Sequence, residues 1–395
     1  MRQMGRGMAS VNLSGYKSIL LVPCPYKEFI CCKHYLNEQR AIVMKKTLLS
    51  ILACPCCQGQ IELKARETTE NGEIISGTLQ CLNCGAEFPI VEGVPCMLTG
   101  EQQIKPSEGF TEQWKYRFSG RFETNSLYGL NPTHRIEDVI AKFADPIQAD
   151  EWILDAGCGS AEMTFAAAKS YPQAQIVGLE LSEAVRLAAK EASSIPNLHF
   201  VQGDVTNPPF KQSTFSKVYS MGVLHHTSNT KAAFDAVSAL VSEYGNLVIW
   251  LYPDPIECPA NIPYYGIRDI VFMGMGHKLS PELRLWFVQF YTGIFLPFII
   301  IAQSFGKEFY HFCQQYNFLV FDKQSLSEIY EATAFLDNLT LPEKFNALAF
   351  WIFDDVTPEF QFRHKKQEVI NWFKANRFEE AHADTIGTYW GKRWH

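Results

Sequence analysis

Apolar positions along this chain fall into patterns that place its strands and helices. Short apolar runs bounded by turn residues recur at Trp152 to Ala156, Gln175 to Glu180, Leu198 to Val205, Phe215 to His226 and Gly245 to Tyr252. Continuous runs of this length predict strands buried on both faces of a parallel sheet. Glu162 to Ser170, between the first two runs, has a helical period, as does Lys365 to Ala375, where Val369, Ile370, Trp372 and Phe373 gather on one side. Phe378 to Gly387 followed by Thr388 to Lys392 reads as a closing antiparallel pair. Alternation at Ile61 to Lys64 and Gly77 to Leu79 predicts a hairpin. Residues 1–43 show neither period and receive no fold. Met44 opens a run that reads like a natural start, which makes the upstream segment either a tail or a misplaced start.

One interval breaks the rhythm. Between the fifth apolar run and the helix at Lys365 lies an insertion of about 90 residues, far longer than an ordinary connection, and such insertions usually carry function. Within it, Leu285 to Ala302 is nearly as long as a bilayer span, but Gln289, Thr292, Gly293 and Pro297 interrupt it, whereas a span wants about 20 predominantly apolar residues. Three readings stay open for this stretch: a membrane span, cap helices that line an apolar pocket or rest on a membrane, and plain core.

Cysteine spacing changes the picture at the start of the chain. Cys54-Pro55-Cys56-Cys57 and Cys81-Leu82-Asn83-Cys84 each hold two thiols at the spacing of a zinc knuckle, and the predicted hairpin would bring the two knuckles together. Cys54, Cys57, Cys81 and Cys84 are therefore the expected ligands of a structural Zn2+. Cys56 competes with Cys57, but only Cys57 repeats the spacing of the second knuckle. No histidine or carboxylate joins the four, and a closed thiolate site leaves no position for substrate, so its role should be folding energy. A unit this small buries little core on its own, which makes a metal staple plausible.

The first apolar run ends in Asp155-Ala156-Gly157-Cys158-Gly159, a glycine turn leading into a helix, and the second ends in Glu180. Glycines let a ligand approach the backbone closely, and an acid at the second strand end can accept hydrogen bonds from ribose hydroxyls. A dinucleotide enzyme would share these two features, but the last glycine of its fingerprint is replaced by Glu162. With Gly203-Asp204-Val205 at the third strand end, the sequence resembles the class I S-adenosylmethionine-dependent methyltransferases over about residues 150 to 255. That resemblance implies an α/β fold: a Rossmann-like seven-stranded methyltransferase sheet with the zinc ribbon in front and a helical cap inserted. It also implies that Asp155, Gly157, Gly159, Glu180, Leu181, Asp204, Val205 and Met221 hold S-adenosylmethionine. Asn207-Pro208-Pro209-Phe210 mimics a signature of amino-group methyltransferases, but it follows the third strand rather than the fourth and reads as a turn.

The expected boundaries are a ribbon over 44–98, a core over 110–255, a cap over 256–345 and core completion over 346–395. Gln113 to Phe118 resembles an aromatic helix that leads into this domain, with Trp114 either a lid on the cofactor or a core anchor. His225 or His226 is the expected base if the acceptor is a hydroxyl, with packing as the alternative role. Asp355, His364, Phe290 and Phe295 are the expected acceptor contacts. A formal net charge of −7 argues against a nucleic-acid partner, although ribosomal RNA methyltransferases with cysteine-rich modules keep that reading as the alternative. A cofactor-binding scaffold without catalysis, whose ribbon docks a partner protein, is the third. An aromatic cap favours a small-molecule or lipid-like acceptor, attacked at oxygen or carbon, and leaves peripheral membrane contact open. The sequence leaves the identity of any partner protein unknown. Twelve cysteines, mostly scattered through apolar segments, fit a reducing cytoplasm.

Overall fold

The predicted hairpin is real and longer than its alternation suggested: β1 (Ile61–Thr68) pairs antiparallel with β2 (Ile74–Cys81), β2 with β3 (Glu87–Val91), and β3 with β4 (Val94–Pro95). The computed structural model describes residues 42–100, 110–116, 132–254, 256–257, 278–294, 296–297, 300, 339–384 and 387–394. Most of β1 is exposed while β2 buries Ile74, Leu79 and Cys81, so the ribbon has one apolar face.

That face is covered by the larger domain. Leu48, Ile51, Leu52, Phe88 and Met97 share a single core with Val205, Phe210 and Phe215. Backbone bonds lock the contact: Ala53 N donates to Pro209 O (3.1 Å), Lys211 N to Ile51 O (2.9 Å) and Met97 N to Gln202 O (2.7 Å). The hydrogen-bonded turn here spans 204–207, closed by Asn207 N donating to Asp204 O (3.1 Å), and the Pro208-Pro209 stretch that follows it is where the ribbon docks. Lys45 reinforces the seam from the other side, its ammonium donating to the carbonyls of Ile195 (2.9 Å) and Leu198 (2.8 Å).

Seven strands form the second sheet, in the order β10-β11-β9-β8-β5-β6-β7. They are β5 (Trp152–Ala156), β6 (Gln175–Glu180), β7 (Leu198–Gln202), β8 (Phe215–Met221), β9 (Val241–Trp250), β10 (His382–Ala383) and β11 (Thr388–Lys392). Neighbours from β7 to β9 run parallel, and β11 runs antiparallel to both β9 and β10. The order reverses between β5 and β8, the switch point outside whose carboxyl ends ligands bind in open α/β sheets.

Helices α1 (Pro132–Ile140), α2 (Glu162–Ser170), α3 (Ala184–Glu191), α4 (Thr230–Leu240) and α6 (Lys366–Ala375) flank this sheet. Asn229 starts α4 by accepting from Ala232 N (3.0 Å), the ordinary N-cap bond. Alanines 166 to 168 bury the inner face of α2 and let it pack close.

A third layer lies at the carboxyl edge. Helical segments 110–116 and 281–294 pack with α5 (Leu341–Val356) through Trp114, Leu285, Val288, Phe350 and Phe353, and this cluster includes Ala184 at the start of α3. The Arg284–Glu112 ion pair (3.1 Å), mostly shielded from water, ties two of these segments together. Helix α5 extends past residue 345, the expected end of the cap, so Phe350 and Phe353 belong to this layer. None of the described helices is long and apolar enough to cross a membrane.

Candidate active site and metal centre

At the tip of the ribbon, Cys54, Cys57, Cys81 and Cys84 place their sulfurs within 4.8 Å of one another. Cys54 and Cys84 are 3.7 Å apart, and Cys57 and Cys81 are 3.5 Å apart. Four thiolates around zinc at about 2.3 Å would stand about 3.8 Å apart, so the cluster fits a tetrahedral thiolate site. Local sequence makes it possible: a Cβ on Gly59 would fall 2.9 Å from the Cys81 sulfur and 2.6 Å from Asn83 Cβ. Burial pushes the Cys54 thiol up; at Cys81 burial acts the same way, but the backbone amides of Cys84 and Asn83 outweigh it and bring the thiol down to about 6. Cys56 is exposed and outside the cluster.

The glycine loop sits at the end of β5. Gly157 has φ +90°, and a Cβ there would lie 2.4 Å from a methyl of Val223; Gly159 has φ +55°, and its Cβ would strike the Trp114 indole at 2.6 Å. Both positions therefore require glycine for conformation and for space. Asp155, just before the loop, is buried and accepts a 2.7 Å bond from the Thr164 hydroxyl. Burial raises its pKa to about 7, with the Thr164 and Tyr219 hydroxyls opposing.

Glu180, at the end of β6, reaches back to this loop. One carboxylate oxygen accepts from Gly159 N (3.0 Å) and the other from Ser182 N (2.9 Å). Burial raises its pKa while those amides lower it. At the end of β7, Asp204 accepts from Thr206 N (2.8 Å), a local turn that holds the acid in place, and Val205 is buried beside it. Leu181, after β6, is joined to β7 by the 3.1 Å bond from Gln202 Nε2 to its carbonyl. Met221 closes β8. In spatial order, Asp204, Glu180, the glycine loop and Met221 end β7, β6, β5 and β8, so the eight residues assembled from the resemblance lie along one sheet edge. Ser182, Gln202 and Val223 belong to the same edge and carry no pattern that sequence reading could have found.

The fourth strand stops earlier than expected. Gly222, at φ +82°, turns the chain, and Leu224–His226 form a single 3-10 turn instead of continuing the strand. The two histidines therefore do not point to opposite faces; their rings stand 4.2 Å apart. His225 is fully buried and stacks on Tyr252 at 4.0 Å. His226 is partly exposed, and its Nδ1 lies 2.9 Å from the Phe360 carbonyl. A carbonyl only accepts, so Nδ1 carries the proton and Nε2 is the basic nitrogen. Phe110, from the segment 110–116, packs on the same ring at 5.8 Å.

Two of the other expected acceptor contacts, His364 and Phe290, have described side chains. His364 packs on Trp372 of α6 at 4.8 Å, and burial lowers its pKa despite Glu368. Phe290 is 54% exposed and stacks on Trp286, itself 58% exposed, at 5.3 Å. With Leu283 and Ile294 they make an exposed apolar stripe at helical spacing. Phe295 and the Asp355 side chain lie outside the described residues.

Comparison with known proteins agrees with this geometry. The family described as Methyltransferase domain matches residues 153–245, and Trm112p-like protein matches residues 45–93. Malonyl-[acyl-carrier protein] O-methyltransferase of Halalkalibacterium halodurans is 31% identical over 123 residues, 31% of this chain and 43% of that one. Trans-aconitate 2-methyltransferase of Deinococcus radiodurans is 39% identical over 72 residues, 18% of this chain and 26% of that one. A UPF0434 protein of Hahella chejuensis is 45% identical over 58 residues, 15% of this chain but 82% of that one. The chain thus spans less than half of the two methyltransferases and most of the small UPF0434 protein. Residues 153–245 thus carry a methyltransferase domain, and residues 45–93, ahead of the sheet, a cysteine ribbon of the Trm112p-like, UPF0434 kind.

Proposed function

We propose that this protein transfers a methyl group from S-adenosylmethionine to a small-molecule or lipid-like acceptor, at oxygen or carbon, and that zinc in the cysteine cluster is structural. The observation that carries it is the Glu180 carboxylate at the end of β6, fixed by the Gly159 and Ser182 amides beside the glycine loop. S-adenosylmethionine supplies an activated methyl on a good leaving group, which leaves the protein to bind, align and exclude water. Glu180 holds the ribose, Asp204 and Val205 flank the adenine, and Trp114 closes over the glycine loop. His226, with its basic Nε2 at the end of β8, takes the proton of a hydroxyl acceptor. The two methyltransferase relatives are named for a malonyl group on an acyl carrier protein and for trans-aconitate, which supports a small acceptor over nucleic acid.

Glu180→Ala should weaken S-adenosylmethionine binding by about 1 to 3 kcal/mol, the cost of leaving ribose donors unpaired. Titration calorimetry giving the parent affinity would remove the ribose assignment. The acceptor class is tested by supplying tritiated methyl donor and protein to fractionated cell extract. Label should enter the lipid or small-molecule fraction, or a carrier-borne acyl group released by thioester cleavage; label confined to RNA or to protein side chains contradicts the proposal.

The cap governs acceptor choice in this account, because a segment leaving β9 emerges at the carboxyl edge. The Leu283, Trp286, Phe290 and Ile294 stripe would rest on a membrane surface that presents a lipid-like acceptor. Burying such area stabilises contact by about 25 cal/mol per Å². Phe290→Glu should therefore lower sedimentation with phospholipid vesicles and turnover of a vesicle-borne acceptor several-fold, and polar replacement of Phe295 should lower turnover likewise, with donor affinity intact. Parent-like vesicle binding and turnover in folded variants would reduce the cap to a structural element.

A further inference from the structure

Gln113 is fully buried, yet its carbonyl oxygen accepts no hydrogen bond among the described residues. Its Nε2 donates to the Asp354 carboxylate on α5 at 3.0 Å. A carboxylate can only accept, so the amide must turn its NH2 toward Asp354 and its oxygen elsewhere. A buried acceptor left without a donor is costly, and a donor group on a bound ligand would relieve that cost.

The helix carrying Gln113 shows where that oxygen stands. Phe110 packs on His226 beyond β8, and Trp114 packs on Gly159 after β5. Positions three and four apart share a helix face, so Phe110, Gln113 and Trp114 look the same way, with Gln113 between the glycine loop and the end of β8. A nucleoside laid with its adenine by Asp204 on β7 and its ribose by Glu180 on β6 directs its remaining end toward β5 and β8. For S-adenosylmethionine that end is an amino acid, with a carboxylate that suits the amides of a glycine loop and an ammonium that needs acceptors. The half-buried Asp354 carboxylate and the Gln113 carbonyl are acceptors joined by one hydrogen bond at that end.

The geometry points to Gln113 and Asp354 as the subsite for the ammonium of the methyl donor, an assignment that rests on the methyltransferase reading above. It adds contacts from the segment before the sheet and from the cap, so donor binding ties the cap layer to the sheet edge.

The test is calorimetric titration of S-adenosylhomocysteine and of its analogue lacking the α-amino group into the parent, Gln113→Leu and Asp354→Asn proteins. The parent should prefer the amino compound. Each variant should weaken that compound about tenfold or more, the scale of a hydrogen bond to a charged group, and leave the deaminated analogue within about twofold. Asp354→Asn keeps the side-chain shape, so it carries the same readout should Gln113→Leu fail to fold. Variants that bind both compounds as the parent does, or that weaken both equally while melting normally, overturn the subsite. Selective loss of methyl-acceptor turnover with unchanged donor binding also overturns it, by handing the pair to the acceptor. A parent that binds neither compound brings down the methyltransferase reading, and this subsite with it.

Discussion

Cys81→Ser will purify with little zinc and melt about 4 °C or more below the parent, as expected when about 3 kcal/mol or more is lost from a chain of this size, whose unfolding entropy is about 2.1 cal/mol/K per residue. The effect is large because metal binding and folding are one process in small thiolate ribbons, where the binding free energy reaches about 10 to 16 kcal/mol. Cys81 ends β2 with its sulfur 3.5 Å from Cys57. It also sits in the core that joins Met44, Leu52 and Phe88 to Phe210 and Phe215. Unravelling the ribbon therefore strips apolar cover from the β7 side of the large sheet. Cys56→Ser is the matched control: exposed and outside the cluster, it should change neither zinc content nor melting. Elemental analysis and calorimetric melting check both variants, and equal zinc and equal melting for Cys81→Ser would rule out the assigned ligand set.

Gly157→Ala should weaken S-adenosylmethionine binding by about two orders of magnitude. A left-handed backbone costs an ordinary residue about 1 to 2 kcal/mol, and here the new methyl also meets Val223 at 2.4 Å. The loop must then move, and with it the Gly157 N to Leu179 O bond (2.8 Å) that pins it to β6. Gly100→Ala separates the two causes, since Gly100 shares the positive φ (+74°) but has nothing within 4 Å. It should cost a little stability and no affinity. Val223→Ala placed on top of Gly157→Ala should restore part of the binding by relieving the contact. Parent affinity in the single variant would show that the loop does not hold the donor.

Much of this architecture could be read from the chain because local signals and the global fold agree. Strands β5, β6, β7 and β9 announced themselves as apolar runs, and β10 and β11 as the closing pair. The cysteine spacing located the ribbon cluster, and the structure brings together the four thiols it singled out. The end of β8 was misread because Val223 and Leu224 prolong the apolar pattern, whereas Gly222 at φ +82° ends the strand. Packing between distant segments left no local trace. The ribbon docks on the Pro209–Lys211 segment through backbone bonds that any side chains could make, and Gln113 finds Asp354 across 241 positions. Phe290 looked like pocket lining by composition alone, yet hydrophobicity does not say which face of a helix is covered, and its ring is exposed.

The central claim is that the edge formed by Asp204, Glu180, Gly159 and Met221 is an S-adenosylmethionine site. Glu180 and the glycine turn would equally suit a dinucleotide, so the decisive measurement is calorimetric titration of the purified chain with S-adenosylhomocysteine and, separately, with NAD+. The account requires one S-adenosylhomocysteine bound per chain, weakened by Glu180→Ala, and no detectable heat from NAD+. Saturable NAD+ binding with none for S-adenosylhomocysteine would contradict it.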